Sequence, residues 1–291
     1  MEKTIKTNNI LPCIIPTAGI AYALRENMFH QEIQSRRLSL LRPYFTRPIG
    51  DLSRIPALPL VINVGGGAWK SSTPWVHTPE LTYLANHGYI IASIDYSTIN
   101  FDIFPAQIED VKCAIRFLRK NAAKFGVDPD RIAIMGDSAG GQLAALAGLT
   151  GGSGLFAVGD DLDVSDEVAA VVDIYGPTDF EEILKDSDGL NDIYLEYLGA
   201  HNPALVKRNA RLASPVNYVR KDAPAFMILH GTADTMVSPK QSRELYDKLT
   251  AAGAEAELLW LEGADHADRD FVQTETLEAV LAFLDDHLGK K

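Results

Sequence analysis

Six short apolar runs rich in β-branched residues, at 60–64, 89–94, 132–135, 169–175, 226–229 and 257–261, constrain this 291-residue chain more than any other feature. Each has the length of one buried strand. Helical patterns lie between them. Across 105–125, Ile108, Val111, Ile115, Leu118 and Ala122 recur at spacings of three and four, which puts one apolar stripe against a sheet. Asp128, Pro129 and Asp130 then read as a loop. Ser238 before Pro239 reads as a helix N-cap with proline in the first turn, and Leu245 and Leu249 continue the buried face until Gly253. A last helix carries Phe271, Leu277, Val280, Leu281 and Leu284. Strands alternating with helices of crossover length predict an α/β fold, a doubly wound, mainly parallel sheet covered by helices on both faces. Its functional edge is expected at the carboxyl ends of the strands, where loops converge.

A hydrophobic fraction of 46% with 23% charged residues fits one domain over 1–291 that buries its core without staples. Residues 1–57 read as an N-terminal extension with the first strands. Two segments break the alternation: 151–166, rich in glycine and acid, and 176–217, polar with aromatics. Both fit surface insertions, and 176–217 fits a small cap over the site equally well. The net charge of −12 repels nucleic acid and anionic membrane alike, so the expected partner is a small molecule, with homo-oligomerisation left open. Cys13 and Cys113 are too few and too far apart for a disulfide framework and read as reduced. Lys3 and Lys6 precede a mildly apolar stretch, but Glu2 sits among them and Pro12 and Pro16 interrupt it. No membrane-length apolar run occurs, so a cytoplasmic location is expected.

The strongest local signal is RIAIMGDSAGGQLAAL, where Gly136-Asp137-Ser138-Ala139-Gly140 forms Gly-x-Ser-x-Gly between a strand and a helix. A serine on such a tight turn projects its hydroxyl above the sheet, and the residues two before and two after must be tiny because the turn packs against neighbouring backbone. Ala139 opens the helix with a free N–H that can face an anionic oxygen. Serine needs a general base, normally a histidine oriented by a carboxylate. Downstream, MILHGTADTMVSP places Asp234 in the loop after one strand, and LLWLEGADHADRDF places His266 in the loop after the next. Asp265 and Asp268 flank His266, but a residue adjacent to the base in sequence seldom points back at its ring. His230 reads as a structural loop-former rather than the base. His30, His77, His87, His201 and His287 lack a strand-end context and read as surface or cap residues; nothing spaces them as a metal site. No metal and no cofactor are expected.

The stretch VINVGGGAWK lacks the patterns of phosphate loops: Trp69 stands where a Walker loop needs glycine, and Pro74 disrupts any following helix. A glycine-rich loop after an early strand suits a second oxyanion donor, since backbone N–H groups approach closely only where side chains are small.

Together these residues resemble the α/β-hydrolase superfamily, within it the esterase and lipase branch related to hormone-sensitive lipase, and in particular bacterial feruloyl-esterase-like and carbohydrate-esterase-like proteins. The similarity runs from about 58 to 266 and includes FPAQIEDVKCAIRFLRKNAAKFGVDPDRIAIMGDSAGGQLAAL, ASPVNYVRKDAPAFMILHGTAD and GADH. The resemblance implies Ser138 as nucleophile, Asp234 as acid, His266 as base and Ala139 as an oxyanion donor. Relatives usually carry His-Gly-Gly-Gly-Trp after the early strand. Aligned on Trp69, this chain has Gly65 in place of that histidine, and the N–H groups of Gly67 and Ala68 become the other donors; a one-residue shift would enlist Gly66 instead. A second departure is Ser97, where relatives often carry an arginine. The implied activity is cofactor-free hydrolysis of small or medium acyl esters, with acetylated or hydroxycinnamoylated saccharides as expected substrates. The alternatives are a peptidase or amidase of the same superfamily and a non-catalytic ligand-binding homologue.

Overall fold

The computed structural model describes residues 3–4, 11–27, 32–44, 56–185 and 191–289, and His30 lies outside them. Two long strands precede the apolar runs: β1 (Cys13–Asn27) and β2 (Glu32–Tyr44), paired antiparallel. The chain continues as β3 (Leu58–Val64), α1 (Thr78–Asn86), β4 (Ile90–Ile94), α2 (Ala106–Lys120), α3 (Ala122–Phe125), β5 (Val127–Asp137), α4 (Ala139–Thr150) and β6 (Ala170–Ile174). It ends as α5 (Phe180–Ile183), α6 (Asn191–Leu198), α7 (Pro203–Ala213), β7 (Ala225–Gly231), α8 (Lys240–Ala252), β8 (Ala256–Leu261) and α9 (Thr274–Leu288). These strands form one eight-stranded sheet in the order β1-β2-β4-β3-β5-β6-β7-β8. The pairs β1–β2 and β2–β4 are antiparallel, and every other pair is parallel.

Side chains alternate between faces along a strand, so two cores form. Leu60, Ile62 and Val64 of β3 join Ile108 and Val111 of α2 and Leu143 and Leu146 of α4 on one face. Val61 joins Leu81 and Leu84 of α1 and Phe283 and Leu284 of α9 on the other. Each such side chain, fully buried, contributes about 1.5–3 kcal/mol. That double cover explains why the central strands read as unbroken apolar runs.

Several boundaries differ from the sequence reading. The helix expected over 105–125 is two, because Asn121 leaves helical geometry and donates from Nδ2 to the Phe117 carbonyl at 2.9 Å. The expected loop at Asp128, Pro129 and Asp130 belongs to β5. Leu58 pairs with Val127 and Leu60 with Ile132, so residues 128–131 bulge opposite Pro59 alone. Asp128 closes the bulge by accepting from the Asp130 N–H at 3.1 Å and pairing with Arg131 at 2.8 Å. Ser238 lies just before the α8 cap, which is Pro239, and its hydroxyl accepts weakly from the Lys240 N–H at 3.4 Å. Phe271 sits in a separate 3-10 turn, Arg269–Val272, because Gln273 is extended before α9 begins. After β6 the chain leaves the sheet for α5, α6 and α7, then a 3-10 turn at Pro215–Tyr218, before returning as β7. Among the described residues no helix is long and apolar enough to cross a membrane.

Candidate active site

Ser138 lies between β5 and α4 with φ 53° and ψ −120°, a conformation that costs energy for a side-chain-bearing residue. Its N–H donates to the Ile174 carbonyl at 2.8 Å, which extends the β5–β6 ladder into the turn. A Cβ at Gly136 would collide with the Gly140 carbonyl, and one at Gly140 with the Val64 carbonyl. The small residues of the motif therefore let the turn close against β3.

The loops after β7 and β8 bring two more groups to this point. His266 Nε2 lies 3.0 Å from Ser138 Oγ, and His266 Nδ1 lies 2.7 Å from Asp234 Oδ2. A carboxylate only accepts, so Nδ1 carries the proton and Nε2 is left to accept from the serine hydroxyl. The Tyr175 ring packs on His266 with centroids 4.6 Å apart, and Phe271 stands edge-on to Tyr175 at 4.4 Å. Asp234 Oδ1 accepts from the N–H groups of Met236 and Val237, both at 2.8 Å. Burial opposes its ionisation, but hydrogen bonds from His230, His266 and the Val237 N–H outweigh it and hold Asp234 well below the usual carboxylate range. Asp265 turns away from the ring: it accepts from Thr235 N–H and Oγ1 at 2.8 and 2.9 Å and from the His266 N–H at 2.8 Å.

The glycine loop lies on the other side of Ser138. Gly66 N–H donates to Asp137 Oδ1 at 2.9 Å, so a register that enlists Gly66 meets a donor already engaged. Gly67 has φ 129°, open to glycine alone, and Ala68 and Trp69 follow in the left-handed region at 53° and 55°. That turn is closed by Lys70 and Ser71 N–H groups on the Gly67 carbonyl at 2.9 and 3.1 Å. Among the described residues no acceptor takes the N–H of Gly67, Ala68 or Ala139. Ala68, Trp69, Ser138, Tyr194, Met236 and His266 line a shared cavity of about 30 Å³. Trp69 is held as its wall by stacking on Tyr197, 4.1 Å away at 9°, and by donating from Nε1 to Gln142 Oε1 at 3.2 Å.

Three features of the site escaped sequence reading. His230 is no loop residue: it lies in β7, fully buried, with Nε2 3.1 Å from Asp234 Oδ2. His77 is half-buried beside the nucleophile turn, its Nε2 3.4 Å from Asp137 Oδ1, and that hydrogen bond raises its pKa against the opposing effect of burial. Gly65 keeps its carbonyl as an acceptor for the buried Tyr96 hydroxyl at 2.9 Å. An imidazole thus reaches the glycine loop from residue 77, through Asp137. Among the other histidines, His87 caps α1 and bonds the Tyr83 carbonyl one turn back, His201 is exposed and His287 packs on Phe283. Beside Ser97, two cations come from β1 and β2. Arg25 and Arg36 both reach Asp110, whose Oδ2 also accepts from the Ser97 N–H at 2.7 Å. Among the described residues no three His, Cys, Asp or Glu side chains gather as a metal site.

The BD-FAE family matches residues 53–249. Esterase LipQ of Mycobacterium tuberculosis is 35% identical over 250 residues, 82% of this chain and 57% of that protein. Esterase LipC of the same organism is 35% identical over 223 residues, 74% of this chain and 54% of that protein. The chain thus spans about half the length of the curated relatives it matches. Among solved structures, a truncated carbohydrate esterase from gut microbiota superposes with TM-score 0.78 at 28% identity, covering 95% of this chain and 97% of that one. A thermophilic esterase from Thermogutta terrifontis with propionate bound gives 0.75 at 25% identity, covering 96% of each chain.

Proposed function

The chain belongs to the BD-FAE family, in the esterase branch of the α/β-hydrolases, and from that membership we propose that it is a serine carboxylesterase acting through Ser138, His266 and Asp234. One observation carries the reading: a single imidazole, His266, bridges the serine hydroxyl at 3.0 Å and the buried carboxylate at 2.7 Å. His266 Nε2 takes the Ser138 proton as the hydroxyl attacks the ester carbonyl. Asp234 stabilises the imidazolium that forms. The N–H groups of Gly67, Ala68 and Ala139 stabilise the developing oxyanion. His266 then returns the proton to the leaving alcohol, and water, deprotonated by the same nitrogen, resolves the acyl-enzyme.

The substrate reading is a short acyl group on a saccharide hydroxyl. A cavity of about 30 Å³ walled by Trp69 and Tyr194 supports acetyl or a slightly longer chain over a hydroxycinnamoyl arm. The Thermogutta terrifontis esterase with propionate or butyrate bound supports a short acyl group, and the carbohydrate esterase from gut microbiota supports a sugar alcohol. A cytoplasmic enzyme of this kind would meet such esters on imported oligosaccharides.

The test is hydrolysis of p-nitrophenyl esters from acetate upward, with methyl ferulate and an acetylated xylo-oligosaccharide, beside Ser138→Ala. Ser138→Ala is expected to lose about 10⁴–10⁶-fold in kcat. Near-normal hydrolysis by that variant, or no labelling of the native protein by a fluorophosphonate probe, sinks the mechanism. A methyl ferulate rate above that of acetate sinks the short-acyl reading alone.

A further inference from the structure

His266 is not the only imidazole on Asp234. His230 Nε2 lies 3.1 Å from the same Oδ2 that accepts from His266 Nδ1, and 2.9 Å from the Val237 carbonyl. Both neighbours only accept, so Nε2 of His230 carries a proton shared between them. Its Nδ1 lies 2.6 Å from Ser242 Oγ in α8, and a hydroxyl can donate there, which leaves the ring neutral with its tautomer set by Ser242. We propose that His230 is a positioning residue for the reaction, a second donor on Asp234 that withdraws carboxylate charge from the His266 bond. The proposal rests on the serine esterase reading of Ser138, Asp234 and His266.

Full burial gives the contact its weight. His230 has no exposed surface, and its partner carboxylate is likewise shielded, so water cannot replace a lost donor. The charged and titratable groups around the pair are few. Asp173 of β6 is buried nearby, its Oδ1 accepting from the Gly176 N–H at 3.0 Å. Arg243 of α8 stacks over Trp260 of β8, whose ring faces His230 at 6.2 Å. Around His266 stand Ser138, Tyr175 and, through the backbone alone, Asp265. With two donors on Oδ2 the carboxylate shares its charge. With one, that charge falls entirely on His266 Nδ1–H, which favours the protonated ring, so the neutral base forms only at a higher pH.

His230→Met and His230→Gln test this, because the two side chains match in length and differ in whether they carry a donor. In the Met variant the acidic limb of the kcat/KM profile for p-nitrophenyl acetate is expected to move up by about half a pH unit, and kcat at pH 6 to fall roughly threefold, with KM unchanged. Gln is expected to keep the limb near its native place. The same shift is read without turnover by NMR titration of the His266 ring in a Ser138→Ala background. A limb and a titration that stay put in Met, or move equally in Met and Gln, overturn the proposal. If Met does not fold, Ser242→Ala replaces it: releasing the ring is expected to give a smaller upward shift, and no shift overturns the proposal. Failure of the esterase reading shows separately, as absent hydrolysis and absent fluorophosphonate labelling in the native protein.

Discussion

Asp137, between Gly136 and the candidate nucleophile, carries two partners that tie the glycine loop to the turn. One is the Gly66 N–H and the other is His77. Removing the imidazole leaves the carboxylate freer and the loop less well held. His77→Ala is therefore expected to lower kcat several-fold with little change in KM, as loss of an interaction made chiefly in the transition state does. The same pair has a pH signature. The His77 pKa is raised in the folded protein, so its contribution to stability is fully present below the unfolded value of about 6.5 and fades as pH rises through the folded value. The gap between the melting curves of native and His77→Ala proteins should be wide at about pH 5.5 and narrower at about pH 8.5. A constant gap at both would mean that the pair does not titrate. Ser138, Asp234 and His266 were legible in the sequence because each stands at a strand end with its own local signal. His77 and His230 were not, since their partners are chosen by packing across 60 residues in one case and by a buried strand neighbour in the other.

At the scale of elements, β1 and β2 join the sheet through charge as well as hydrogen bonding. Asp110 of α2 has a fully buried carboxylate that meets Arg25 of β1 and Arg36 of β2, and it also receives the Ser97 N–H. Removing one partner of a buried ionic set leaves the others uncompensated. Asp110→Ala is expected to cost about 3–5 kcal/mol, measured by urea denaturation, and a loss under 1 kcal/mol would show that the cluster does not hold the hairpin. A second cationic tie holds the glycine-rich segment after α4. Lys112 contacts Asp166 and the Thr150 carbonyl, both at 2.9 Å, while burial lowers its pKa more than Asp166 restores it. The central strands were readable because burial on both faces leaves only apolar residues. Strand β2, with Arg36 and Arg37 in its middle, has no such run, and its place at the antiparallel side of the sheet follows from long-range pairing with β4. The break at Asn121 was equally hidden, because the apolar stripe runs through Ile115 and Leu118 before it and Ala122 and Phe125 after it.

For the whole molecule, the question is what joins the helices after β6 to the site below them. Gln142, fully buried in the first turn of α4 and four residues past Ser138, accepts from Trp69 Nε1 and the Tyr197 hydroxyl, each at 3.2 Å, and donates to the Ala213 carbonyl at 2.9 Å. One amide therefore links the glycine loop, α6, the end of α7 and the helix that bears the nucleophile turn. Through Trp69 it also sets one wall of the cavity beside Ser138. Gln142→Leu preserves bulk but strands three buried polar groups, so a stability loss of roughly 3 kcal/mol is expected. The functional consequence is distinct from the stability cost. Freed from its acceptor, Trp69 keeps its stacking on Tyr197 but loses its rotational lock, and the cavity can widen. The butyrate-to-acetate ratio of kcat/KM is expected to rise about fivefold in Gln142→Leu, a shift on the scale of one or two methylenes in an apolar pocket. Measured well below the melting temperature, an unchanged ratio would assign Gln142 to stability alone and place control of acyl length with Tyr194 and Met236, the other walls of the cavity.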